Sequence, residues 1–310
     1  MNFLRLIRFH NLLMLALMQV VFRYGFLKLR GITLALHDWQ YALLVLSTVC
    51  IAAAGYIINN ISDQGTDLEN KPHKVIVGKS ISEAMAYNYY VGLNVIGVGC
   101  GFYLSNFIGK SEFAALFIVI AGTLYLYATS FKQSLLTGNI IIALLLSISV
   151  LVIGIFDLYP MITIENQPYL GAVFRVLIDY AIFAFIINLL REITKDLEDI
   201  DGDYNQGMNT LPIALGAERT TKLVFWLSLI PIIMLLWYVN EYFIANNLFI
   251  ATAYMLLFVI GPLIYFSIRM WNAEKRTHFM HLSLVLKIIL FFGILSAIVL
   301  SYNIIYNAQR

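Results

Sequence analysis

Apolar runs close to 20 residues long recur along the whole of this chain, and that repetition restricts the fold more than any single motif does. A helix rising 1.5 Å per residue needs about 20 residues to cross roughly 30 Å of hydrocarbon. Candidate spans fall at roughly 11–29, 40–60, 83–105, 113–131, 139–157, 170–190, 222–240, 246–268 and 280–304, with ends good to a few residues. Composition points the same way. The 310 residues are 61% hydrophobic and 12% charged, whereas a soluble domain carries about 25% charged residues. Such a chain cannot cover itself with polar surface. The expectation is an all-α, polytopic membrane protein of nine transmembrane helices, forming one domain over residues 1–310.

Several classes are excluded early. The net charge of +2 and the absence of a basic patch beyond what membrane topology requires argue against a nucleic-acid partner. Cys50 and Cys100 lie inside apolar runs, so neither a disulfide framework nor a CxxC metal site is available. Arg5 and Arg8 precede the first run, but Gln19, Arg23 and Tyr24 occupy the place where a cleavage site needs small residues. The first run is expected to stay as a span.

Charge fixes the orientation. With the N-terminus in the cytoplasm, thirteen Lys and Arg fall on inner segments, and only Lys28, Arg30, Lys110 and Arg310 fall outside. That bias predicts a multi-pass protein of the cell inner membrane, with its N-terminus cytoplasmic and its C-terminus outside. Arg23, Arg175 and Lys287 lie within spans and need partners or a route to the interface. Asp179, one helical turn from Arg175, is the expected partner there. Two inner segments, 61–82 and 191–221, are long and polar. Each follows an even-numbered span and runs from an acidic cluster through a proline (Pro72, Pro212) to a glycine (Gly78, Gly216). This pattern predicts two four-helix pseudo-repeats plus a ninth helix, with a site at the repeat interface. Ser80 and Glu83 have capping-box spacing for the start of the third helix.

Half of the 18 acidic residues sit in two short windows. Asn59, Asp63 and Asp67 step by four along one helical face; Glu192, Asp196, Asp199 and Asp203 step by four, three and four along another. Glu69, Glu198 and Asp201 lie off these stripes and read as solvated. Carboxylates held this close repel one another unless a cation lies between them. Oxygen donors without His or Cys point to magnesium, which takes one or two carboxylates and is completed by substrate phosphates. Asp63, Asp67, Asp196, Asp199 and Asp203 are therefore the candidate catalytic acids and metal ligands, with Asn59 as a further ligand and Glu192 in support. Lys71, Lys74, Lys132 and Arg191 are candidate contacts for a diphosphate, although topology alone would also place cations there. Arg191 and Lys195 have neighbouring acids as alternative partners. The five histidines show no metal-binding spacing.

On these residues the chain resembles the UbiA family of intramembrane prenyltransferases. Asn59 to Lys74, NNISDQGTDLENKPHK, is similar to the family's first aspartate motif, and Arg191 to Gly216, REITKDLEDIDGDYNQGMNTLPIALG, to the second. Tyr125 to Asn139 resembles the segment that carries a diphosphate-contacting lysine and a Gly-Asn pair, which is what implicates Asn139. Two positions depart from the pattern. Asn60 stands where the family often has Asp, and His10 precedes Asn11 where many members read R-P-x-N, so a supporting role for Asn11 near the acceptor rests on the resemblance alone.

The resemblance implies magnesium-dependent transfer of a prenyl group from an isoprenyl diphosphate to an acceptor. The second motif, with its ED-x-x-GD and TLP, is closest to the digeranylgeranylglyceryl phosphate synthase and chlorophyll synthase branches. That implies geranylgeranyl diphosphate as donor and a lipid acceptor such as geranylgeranylglycerol phosphate. An aromatic quinone precursor is the alternative acceptor, and an intramembrane terpene cyclase would use the same diphosphate site with none. A transporter would instead place its acids near the bilayer midplane, whereas here they gather at the inner interface.

Overall fold

The computed structural model describes residues 2–65 and 75–309, and in them the chain is a bundle of long helices. We number them α1 (Phe9–Lys28), α2 (Asp38–Ser62), α3 (Glu83–Phe107), α4 (Ser111–Thr129), α5 (Thr137–Met161), α6 (Gln167–Asn205), α7 (Ala217–Ile244), α8 (Phe249–Trp271) and α9 (Arg276–Ala308). Eight of them are long and apolar enough to cross a membrane, so the protein is an integral membrane protein. The exception is α3. Its 25 residues provide the length, but Asn88, Asn94 and Asn106 and four glycines leave it less apolar than the others. Among the described residues eight of the nine expected spans are thus matched in both length and apolarity, and α3, matched in length, packs beside them.

Small residues make that packing close. Ser47 Oγ on α2 donates to the Gly97 carbonyl of α3 at 2.6 Å, and a Cβ at Gly97 would lie 2.6 Å from Ile51 and 3.0 Å from the Ser47 carbonyl oxygen. One turn on, a Cβ at Gly101 would lie 2.2 Å from the Phe117 ring of α4. Gly97 and Gly101 thus bring α3 against two neighbours at once, the use of small residues expected where lipid supplies no hydrophobic drive between helices. The α3 N-cap is Ser82, whose Oγ accepts from the Met85 amide at 3.3 Å, rather than Ser80.

Several helices contain wider π turns. In α8, Leu256–Ile260 is π-helical immediately before Gly261 and Pro262. Proline has no N–H to continue the ladder, and the wider turn absorbs the break. Two other π segments, Val21–Lys28 and Gly154–Leu158, carry the partners of a buried ion pair. Arg23, fully buried, donates from Nη1 to Asp157 Oδ2 and from Nη2 to the Leu36 carbonyl, both at 2.6 Å, while Asp157 Oδ1 accepts the Leu36 amide at 3.0 Å. The guanidinium also lies 4.2 Å from the Tyr41 ring centre. The intramembrane Arg23 is thus paired through both terminal nitrogens within the bundle and does not snorkel, although its Nε is buried without a hydrogen-bond partner. Arg175 and Asp179 form no close salt bridge; Asp179 lies against Tyr238, with Arg175 acting on it only at longer range.

The helix α6 sets the site apart from the rest. Its 39 residues would extend about 58 Å at the usual rise, nearly twice the hydrocarbon thickness. Residues 191–205, read in the sequence as part of a polar loop, continue this helix. The acidic stripe therefore rides on a rigid extension of a membrane span.

Candidate active site

The first stripe is fixed at the end of α2. Asp63 is its C-cap residue, its amide bonded to the Asn59 carbonyl at 2.9 Å. One turn apart, the side chains meet: Asn59 Nδ2 donates to Asp63 Oδ2 at 2.6 Å. Both are buried. Lys132, in the short turn between α4 and α5, forms an ion pair with the same Asp63 oxygen. Asp67, Lys71 and Lys74 lie outside the described residues.

The second stripe faces α5. Asn139 Nδ2 donates to Asp196 Oδ2 at 2.7 Å. The neighbouring Gly138 makes this reach possible, since a Cβ there would lie 3.0 Å from the Phe131 carbonyl oxygen and 3.1 Å from the Lys132 Cα. The Gly-Asn pair thus does two jobs: Gly138 lets the Lys132 turn settle onto α5, and Asn139 holds an acid of α6. A further bond, from the Asn209 amide to the Gln133 carbonyl at 3.0 Å, ties the chain after α6 to the same turn. Lys132 and Asn139 are therefore the physical link between the stripes, one pairing with Asp63 and the other with Asp196.

The remaining acids differ in setting. Asp203 is buried. Asp199 has Arg276 Nη2, at the start of α9, 3.7 Å from its Oδ1. Glu192 accepts from Lys195 at 2.6 Å and from Arg191 at 3.4 Å, so it serves as an ion-pair centre. Among the described residues, no three Asp, Glu, His or Cys side chains gather as a ready-made metal cage. The donors present nonetheless suit magnesium. Asn59 Oδ1 is buried with no hydrogen-bond partner beside the Asp63 carboxylate, an uncompensated cost that a cation would remove. The ligand atoms the stripes offer are carboxylate and amide oxygens, as a hard divalent ion prefers, with Lys132 paired to one Asp63 oxygen.

Beside the stripes opens a cavity of about 270 Å³ between the helices. Its deep walls are apolar, with Met18, Phe22, Phe117, Leu124, Phe183 and Ile294 among them. Asn59, Tyr56, Tyr127, Arg191 and Glu192 stand where it meets the acidic end. Among the cavity residues that sequence reasoning gave no site role are Tyr127, Arg8 and Lys287. Tyr127 lies within electrostatic reach of Glu192, Asp63 and Asp196; it falls in the Tyr125–Asn139 segment, where the resemblance marked a lysine and the Gly-Asn pair but not this ring. Arg8, in left-handed backbone at φ 49°, places its guanidinium 5.2 Å from the Tyr56 ring centre. Lys287 does carry a sequence signal, a lysine inside an apolar span; its Nζ donates to Asn11 Oδ1 at 3.1 Å.

Known proteins share the chain's sequence pattern and its fold. The family model described as the UbiA prenyltransferase family matches residues 29–289. A digeranylgeranylglyceryl phosphate synthase of Korarchaeum cryptofilum is 31% identical over 64% of this chain, and that match spans 65% of the relative, just under two thirds of its length. The enzyme of the same description from Methanobrevibacter smithii is 28% identical over 82% of this chain and 86% of its own. A UbiA homolog from Archaeoglobus fulgidus, solved bound to GPP and Mg2+, has the same fold, with a TM-score of 0.63 and 16% identity over 96% of this chain and 99% of that one.

Proposed function

This chain belongs to the UbiA prenyltransferase family, and on that premise we propose that it transfers a geranylgeranyl group from geranylgeranyl diphosphate to geranylgeranylglycerol phosphate in a magnesium-dependent reaction. Support for the acceptor comes from the relatives described as digeranylgeranylglyceryl phosphate synthases. One observation carries the chemistry: a buried, unpartnered Asn59 oxygen beside Asp63, linked through the Lys132 and Asn139 turn to Asp196, at the polar end of an apolar cavity.

The residues then divide the work. Asn59, Asp63, Asp67, Asp196, Asp199 and Asp203 are the proposed holders of magnesium. When bound, the metal supplies charge neutralisation for a departing diphosphate. Lys71, Lys74 and Lys132 are the cations proposed to take the remaining negative charge. Arg191, grouped with them in the sequence, lines the cavity and pairs with Glu192. In the reaction, the allylic C–O bond breaks with its electron pair leaving on the diphosphate. The acceptor hydroxyl oxygen then bonds to the allylic carbon and loses its proton to the departed diphosphate. The apolar walls between α1, α2, α4, α5 and α9 shelter the isoprenoid and keep water from the cation. Asn139 holds Asp196 in place, and Asn11, through Lys287, belongs to the acceptor end.

We place residues 1–310 in one domain of the cell inner membrane, N-terminus cytoplasmic and C-terminus outside. This topology counts α3 as a crossing, which its close packing along α2 supports. The test is an assay of the purified protein with labelled geranylgeranyl diphosphate and separate acceptors. Label in the phosphorylated lipid is expected. Label only in an aromatic acceptor, or a hydrocarbon released with donor alone, would overturn the assignment. Asp63→Ala or Asp199→Ala should abolish transfer without loss of membrane insertion.

A further inference from the structure

A second cavity, of about 250 Å³, opens between the end of α8 and the start of α9. It shares no residue with the central cavity. It does lie at the same end of the bundle as the acid stripes, because Arg276, the first residue of α9, reaches Asp199. Two features place it at head-group level. Trp271, exposed at the end of α8, is the kind of ring that gathers at a membrane interface, and Lys222 of α7 lies 3.8 Å from its ring centre and donates to its carbonyl at 2.9 Å. The polar lining is Arg269, Asn272, His278 and His281; Ile268 and Leu282 are apolar. Among the described residues no carboxylate lines this cavity, and Arg269 has no hydrogen-bond or ion-pair partner. His278 Nδ1 accepts the Glu274 amide at 3.4 Å, so in the neutral ring the Nε2–H is left to donate. His281 Nε2 shares a hydrogen bond with the Tyr265 hydroxyl at 3.0 Å. Chain direction orders the lining. Ile268 precedes the end of α8 and Leu282 follows the start of α9, so both lie on the bilayer side, while Asn272 lies on the surface side.

We propose that this pocket between α8 and α9 binds the phosphate of an anionic membrane lipid, a resident of the bilayer that takes no part in the reaction. A basic pocket between transmembrane helices at a membrane surface is suited to a lipid phosphate. The guanidinium of Arg269 provides a planar fork of donors for phosphate oxygens, and Asn272 and His278 add neutral donors beside it. Lys275 and Arg276, in the turn and first position of α9, add to the positive field that favours an anionic head group over a zwitterionic one. The lipid chains would leave along Ile268, which is 61% exposed on the outer surface of α8. The gradient of the pocket, from Asn272 to Arg269 to Ile268, follows that of the lipid, from head group to phosphate to chain. A lipid held there braces α9 against α8 at the end where Arg276 meets the acid stripe.

The test is native mass spectrometry of the purified full-length protein in detergent, titrated separately with dioleoylphosphatidylglycerol and dioleoylphosphatidylcholine. Wild type should retain one phosphatidylglycerol about fivefold or more tightly than phosphatidylcholine. Arg269→Gln should lose most of that preference and Arg269→Lys should keep part of it, while Lys110→Gln, at the opposite end of the bundle, should match wild type. Equal retention of the two lipids by wild type would overturn the site, and so would an undiminished preference in Arg269→Gln. A second arm separates a lipid from a free anion. Phosphatidylglycerol should raise the thermal midpoint of wild type, and millimolar inorganic phosphate should not; an equal rise with inorganic phosphate would overturn the lipid assignment. If Arg269→Gln does not fold, His278→Gln takes its place, with the same loss expected. Prenyl transfer in detergent should stay at the wild-type level in Arg269→Gln. Transfer that falls while the lipid preference stays would put Arg269 in the reaction and overturn the proposal.

Discussion

Replacing Asn139 with Leu removes a hydrogen bond without touching a proposed metal ligand, and its consequence can be worked out. Asn139 donates to Asp196 Oδ2 at 2.7 Å, in a buried position. A hydrogen bond to an ionised group contributes about 1.5–3 kcal/mol, and at 1.4 kcal/mol per tenfold this is roughly a 10- to 100-fold effect. Leu has similar volume, so the loss falls mainly on how Asp196 is oriented. Outer partners of metal ligands typically change metal affinity or activity by about 10–100-fold when removed, which agrees with the first figure. The magnesium concentration giving half-maximal transfer should therefore rise at least tenfold in Asn139→Leu. Activity at saturating magnesium should recover to within a few-fold of wild type, and Asn139→Asp should not restore the wild-type curve, because it puts a like charge against Asp196. A magnesium titration of purified protein in detergent, at saturating donor and acceptor, measures this. An unshifted midpoint would refute the claim that Asn139 acts through Asp196.

Two further outcomes concern the frame around the site. Asp157→Ala leaves the fully buried Arg23 without its main anion and should cost about 3–5 kcal/mol, seen as a lowered thermal midpoint in detergent; a midpoint within a degree of wild type would contradict the pairing. Gly101→Ala places a Cβ 2.2 Å from the Phe117 ring and should destabilise by about 1–3 kcal/mol through overpacking, whereas Gly99→Ala, where a Cβ meets nothing within 4 Å, should be nearly silent in the same melt.

Much of this was legible in the sequence because the bilayer imposes a simple rule on length and polarity. Spans were readable wherever apolar residues ran unbroken, and α3 fell short of the others because it carries three asparagines and four glycines, two of which, Gly97 and Gly101, serve helix packing that a hydropathy pattern cannot express. The stripe spacing correctly set Asn59 one turn from Asp63, since that contact is local. The contacts that join the stripes were out of reach. Lys132 to Asp63 and Asn139 to Asp196 span 69 and 57 residues, and only the fold brings them together. Family resemblance, rather than spacing, pointed to Asn139. Arg175 and Asp179 show the limit of spacing: the helical interval is right and Arg175 acts on Asp179, but the nearer partner of Asp179 is Tyr238 on another helix. Arg23 and Lys287 were each marked as costly inside a span, and that cost was a sound signal: one proved to be a buried structural pair and the other a cavity residue.

The central claim is that acids from both stripes hold one magnesium-bound diphosphate, and binding of labelled geranylgeranyl diphosphate to purified wild type, Asp63→Ala and Asp196→Ala, with and without magnesium, tests it most directly. Wild type should bind tightly only with magnesium, and each variant should lose that magnesium-dependent binding by about 100-fold or more while keeping its thermal midpoint within a few degrees. Near wild-type magnesium-dependent binding in either folded variant would contradict a site shared between α2 and α6.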